Sequence, residues 1–227
     1  MPGERTAALI CETLRRETEL VLARSAASLP VRFIESGLHE QPARLRAHLQ
    51  EQIDAMPEYD RLLLSFGQCG NALVGVTSHA TLVFPRVEDC ISLLIGSSQK
   101  RQALCSGCPT YFLTQGWLDG KRNLLAEYDY TVQQYGAERG GALMSEMLRS
   151  YRRIGVLDTG AFDPGSALSK AAPLCRALHL KAEILPASTA YLEQLLVGPW
   201  TSDRFITIAP GHTVTEEDLI LSDIAQR

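Results

Sequence analysis

Asp60–Asn71 reads DRLLLSFGQCGN, a short apolar run bounded by charge on one side and by glycine on the other. A continuous run of this length reads as a strand buried on both faces, the signature of a parallel sheet covered by helices. The strand is predicted over 60–67 and ends in the glycine-rich turn GQCGNALVG, which carries Cys69. Gly67 and Gly70 are expected to take positive φ there, so that the backbone turns sharply beside a ligand.

The same alternation repeats on either side. TAALIC (6–11), VRFIES (31–36), TLVFPR (81–86) and TYFLT (110–114) read as strands, as do RRIGVLDTG (152–160), KAEILPAS (181–188) and RFITIAPG (204–211). Helices are predicted over 12–27 and over 42–56, where Pro42 sits in the first turn and Leu45, Leu49, Ile53 and Met56 follow at helical spacing. Asp89 is the expected N-cap of a helix over 89–105. Segment 117–150 reads as helical with a break near Gly136 and with Leu143, Met147 and Leu148 turned to the core. Two more helices are expected at 166–178 and 190–198, and TEEDLI as a short terminal helix. The order predicts an α/β fold: two Rossmann-like lobes with mainly parallel sheets covered by helices and a cleft between them. The expected division is an N-terminal lobe over 1–116, a helical crossing segment over 117–150 and a C-terminal lobe over 151–227.

Composition narrows the function classes. The 227 residues are 45% hydrophobic and 21% charged, ordinary for a globular chain. A formal charge of −4 offers no basic footprint for nucleic acid, and an aromatic content of 7% offers no stacking platform for bases. No apolar stretch reaches the roughly 20 residues that span a bilayer. The opening MPGERTAALICETL does not read as a secretory leader, so a cytoplasmic setting is expected. Six cysteines in that setting are expected as thiols rather than as a disulfide framework.

Three of those cysteines fall where predicted strands run out: Cys11, Cys69 and Cys90. The carboxyl ends of strands in an open α/β sheet are where ligands bind. Three thiolates gathered on one rim would suit zinc or another soft divalent metal, leaving a fourth position for water, a substrate thiol or a side chain such as Glu88 or His79. The alternative is three separate buried cysteines acting as small hydrophobes. Asn71 and Arg86, beside the same strand ends, and Thr159, in the turn Asp158-Thr159-Gly160, are candidate substrate-binding residues. The DTG triplet does not indicate an aspartic protease, which is an all-β protein. Cys105 and Cys108 form a C-x-x-C pair, but it ends a predicted helix instead of opening one, the reverse of a thioredoxin site. His212 is a lone histidine in a strand-end turn, and Glu138 and Tyr151 stand on the central helices.

The chain resembles a known family in several stretches: the strand ending at Cys11, SFGQCGNALVG, LVFPRVEDCISLLIGSSQ, PTYFLTQGW, YGAERG, YRRIGVLDTG and APGHTVTEEDL. It is similar to the domain-of-unknown-function family sixteen thirty-eight over nearly its whole length. The resemblance covers the three cysteines and the Asp158-Thr159-Gly160 turn, but many relatives carry His where this chain has Glu88. It implies an association with corrinoid-dependent methyl transfer and assigns no activity. Two readings follow. One is a metal-dependent protein handling methyl groups or thiols at the three-cysteine site; the other is a non-catalytic accessory protein for a corrinoid, a metal or a methyltransferase partner.

Overall fold

The computed structural model describes residues 4–25, 28–120 and 123–220. Two sheets organise them. The first holds β1 (Thr6–Cys11), β2 (Val31–Ile34), β3 (Arg61–Leu64), β4 (Thr81–Pro85) and β8 (Phe205–Ile208) in the order β2-β1-β3-β4-β8. All its pairings are parallel except the edge, where β8 runs antiparallel to β4. The second is parallel throughout, β5 (Thr110–Leu113), β6 (Arg153–Asp158) and β7 (Lys181–Pro186) in chain order. The mainly parallel α/β class read from the sequence is the class observed.

Side chains alternate strictly across the first sheet, as period-two geometry requires. Leu9, Leu62, Leu64, Leu82 and Phe84 face one core with Leu45, Leu49 and Ile53 of α2 (Pro42–Asp54). Ile10, Leu63 and Val83 face the other way, into a core with Val21 of α1 (Arg15–Ser25), Leu93 of α3 (Cys90–Ile95) and Leu192 of α9 (Ala190–Val197). That second core also takes in Phe112, Leu157 and Leu185 from the second sheet. The helices α1, α3 and α9 are therefore a middle layer packed by both sheets. The far face of the second sheet buries Leu113, Ile154 and Val156 against α8 (Pro164–Ala177) and Met144.

The division expected at 116/117 does not coincide with the boundary between sheets. β5 lies before it yet pairs with β6, while α9 and β8 return from the C-terminal part of the chain to the first sheet. Other departures are local. The helix predicted over 89–105 is two, α3 and α4 (Ser98–Ser106), because Gly96 takes φ 100 and Ser97 caps the second. Asp89 is the N-cap expected, accepting from Ser92 N at 2.8 Å. Gly136 does break the central helices into α6 (Leu124–Tyr135) and α7 (Ala137–Met147), after the short α5 (Gln115–Asp119).

In α7 the buried stripe runs through Gly140 and Met144 to Leu148, which leaves Leu143 46% and Met147 53% exposed. The cause is the close crossing at Gly140, where a Cβ would stand 2.8 Å from the Val132 Cα of α6. The TEEDLI segment is a turn, with Asp218 Oδ2 accepting from Thr215 N at 2.8 Å. Among the described residues no helix is long and apolar enough to cross a membrane.

Candidate functional site

β1, β3 and β4 are parallel neighbours, so their carboxyl ends open on one rim. Cys11 ends β1, Cys69 lies in the turn after β3, and Cys90 opens α3 after β4. Hydrogen bonds tie the three segments together. Cys11 N donates to Ser65 Oγ at 2.8 Å, and Ser65 N donates to Leu9 O at 3.1 Å. Gln68 N donates to Val87 O and Cys69 N to Glu88 O, both at 3.0 Å.

The glycines of this turn divide their roles. A Cβ at Gly67 would stand 2.2 Å from Val87 O, so glycine is needed there for close approach and not for the positive φ expected of it. Gly70 does take φ 66, and the residues on both sides follow it: Cys69 at φ 42 and Asn71 at φ 64. Left-handed backbone costs an ordinary L-residue roughly 1–2 kcal/mol. Strain of this kind collects at functional sites, where the surroundings hold it in place.

One hydroxyl links two of the sulfurs. Thr13 Oγ1 donates to Cys11 Sγ at 3.2 Å and lies 3.9 Å from Cys90 Sγ, in a residue only 1% exposed. Its backbone is pressed by α5, since a Cβ at Gly116 would stand 1.9 Å from Thr13 O. Burial is the main cause raising all three thiols. Cys69 is pushed up to about 12, by burial first and by the neighbouring Cys11 sulfur next. Cys90 rises well above its ordinary value through burial and then through the negative charge of Cys11, Asp89 and Cys69. The thiols thus feel one another, and each is neutral at physiological pH until a cation offsets the cost of ionising it. As the side chains stand, no group of three or more His, Cys, Asp or Glu among the described residues is gathered tightly enough to hold a metal ion.

The remaining candidates are dispersed. Glu88 and Asp89 both pair with Arg101, at 3.1 and 2.7 Å. His79 is exposed and lies close enough to Asp60, which precedes β3, to act on its carboxylate. It therefore lies at the opposite end of the sheet from the cysteines and is no fourth ligand. Arg86 donates to two backbone carbonyls, Ser202 O at 3.2 Å and Ile220 O at 3.1 Å, along a cavity of about 540 Å³ beside β8. Asn71 is exposed, with Arg46 bonded to its carbonyl at 3.2 Å. His212 is held by Asp218 at 3.0 Å. Glu138 is exposed, and Tyr151 packs edge-on against Tyr111.

Thr159 is the informative exception. Its hydroxyl donates at 2.9 Å to Oε1 of Glu17, a fully buried carboxyl on α1 whose Oε2 has no partner among the described residues. Desolvation raises the Glu17 carboxyl above its ordinary value, against the lowering effects of hydrogen bonds from its own amide and from Thr159. The segment 12–17 is thus where the rims of both sheets meet. Sequence reading passed over Thr13, Glu17 and Ser65. Only Glu17 left a periodic trace, at helical spacing between the inward Leu14 and Val21.

A family model described as "Protein of unknown function (DUF1638)" matches residues 33–196, well over half of the chain, and the chain belongs to that family. No curated protein and no solved structure matches it.

Proposed function

We propose that this protein binds a soft divalent metal, zinc in the first instance, through Cys11, Cys69 and Cys90. The fourth position would be left for a thiol or a methyl-bearing ligand. The observation that carries the reading is the Thr13 hydroxyl set between the sulfurs of Cys11 and Cys90, with the strained Cys69 turn bonded to the segment that leads into Cys90. An all-sulfur donor set in a desolvated pocket matches a soft ion and no hard one. A bound cation would hold the thiols as thiolates, and Thr13 would then donate to sulfur as the outer hydrogen bond that metal ligands use for orientation. Loading draws the sulfurs together from their present spacing.

Whether the site turns anything over is a separate matter. Thr159 spends its one hydroxyl donor on Glu17, and Arg86 directs two of its five N–H donors at backbone carbonyls, which favours the accessory reading, capture or delivery of a metal, a corrinoid or a methyl-bearing ligand, over catalysis. The test is elemental analysis and absorbance of untagged protein. About one equivalent of zinc is expected, lost in Cys11→Ser, Cys69→Ser and Cys90→Ser and kept in Cys175→Ser. A wild-type protein that takes up no soft metal, or Cys11→Ser protein that keeps it, overturns the reading. Retained ligand without turnover of thiols or methylated amines marks the accessory role.

A further inference from the structure

Cys105 and Cys108 lie away from the rim. Cys105 is in the last turn of α4 and Cys108 leads into β5, with Ser106 and Gly107 exposed between them. Both are free thiols, each half-buried. Cys108 N donates to Cys105 O at 3.2 Å, closing a turn. A closed turn brings its first and fourth Cα within about 7 Å, which is the span a disulfide bridges.

The turn is also braced at both ends by one side chain. Arg153, at the start of β6, donates from Nη2 to Leu104 O and from Nε to Thr110 Oγ1, both at 2.9 Å. Thr110 Oγ1 in turn donates to Cys108 O at 2.7 Å. Arg153 is itself fixed by Glu183 at 2.6 Å, and its side chain is only 11% exposed. The turn is therefore held in place before any bridge forms. A Cβ at Gly107 would meet nothing among the described residues within 4 Å, which leaves the outer face of the turn open to a small reagent.

We propose that Cys105 and Cys108 form a reversible intramolecular disulfide by exchange with a small-molecule disulfide such as oxidised glutathione. One protein thiolate attacks the reagent, whose S–S bond breaks. A mixed disulfide forms, and the first glutathione leaves as thiolate and takes up the proton. The second protein thiol loses its proton and attacks the protein-linked sulfur, which closes the Cys105–Cys108 bond and releases the second glutathione. Two electrons pass from the protein to the reagent.

The test treats full-length protein with oxidised glutathione at mildly alkaline pH, alkylates what remains and maps the peptides by mass. A Cys105–Cys108 bridge that dithiothreitol reverses is expected, and Cys105→Ser and Cys108→Ser should each hold a stable glutathione adduct on the surviving thiol. Alkylation of both thiols in treated wild-type protein overturns the proposal, as does separate glutathionylation of each without a bridge. Repeating the map on Cys11→Ser protein separates this result from the fate of the metal reading, since the bridge should form there equally.

Discussion

Glu17 shows how a single residue can be read from its surroundings. Its carboxyl is fully buried, bonded through one oxygen to Thr159 and without a partner among the described residues at the other. Burial raises it, so the folded chain holds the proton more tightly than the unfolded chain does. Its contribution to stability is therefore complete at acid pH, where both states are protonated. It is lost as pH climbs from the ordinary glutamate value through the folded one. Glu17→Gln keeps an acceptor for Thr159 and removes the charge. We expect it to stabilise the protein at neutral pH relative to the parent, because a buried carboxyl must there either ionise out of water or take up a proton, and an amide does neither. The gain should vanish below about pH 4, where Glu is neutral in both states. Urea unfolding at both pH values checks this, and a difference independent of pH contradicts it. At this scale the sequence was partly legible. Strand ends located Cys11, Cys69 and Cys90, because a hydrophobic run marks where a strand stops. Thr13 and Thr159 were tied to their partners only by the folded path of the chain.

Among the elements, the turn after β3 has the most demanding geometry. Gly67 lies against Val87 O, and the bonds from Gln68 N and Cys69 N to Val87 O and Glu88 O keep the Cys69 and Cys90 segments together. Gly67→Ala should cost about 1–3 kcal/mol, the usual penalty for forcing extra volume into a packed site, and should weaken soft-metal uptake as well. Gly37→Ala is the control, since a Cβ there meets nothing among the described residues within 4 Å. Equal stability of the two variants in urea would refute the packing argument. Strands and most helices were legible as periodic patterns. The helix break at Gly96 and the outward turn of Leu143 and Met147 were not, because local propensity does not register a crossing as close as Gly140 on Val132.

At the scale of the molecule, the shared middle layer has a mechanical consequence. Ile10, Leu63 and Val83 of one sheet bury against the same cluster as Phe112, Leu157 and Leu185 of the other, so neither sheet keeps a complete core without its partner. Unfolding should be a single transition. The two tryptophans report on it separately. Trp200 packs on the shared core, and Trp117 packs on both that core and the one beyond the second sheet. Trp117→Phe and Trp200→Phe proteins, each with one emitter left, should give coincident denaturation midpoints. Midpoints that separate would mean two independently folding parts. The α/β class followed from strand–helix alternation. The return of β8 to the first sheet did not, because an antiparallel edge strand has the same short apolar pattern as a parallel one.

The central claim is that three sulfurs from separate strand ends hold one ion. X-ray absorption at the zinc edge, on protein reloaded with one equivalent of zinc, tests it most directly. We expect three sulfur scatterers at about 2.3 Å with one lighter atom, and no such sulfur shell in Cys69→Ser protein, which does not retain the ion. A shell of nitrogen and oxygen alone, or a sulfur count that Cys69→Ser leaves unchanged, would contradict it.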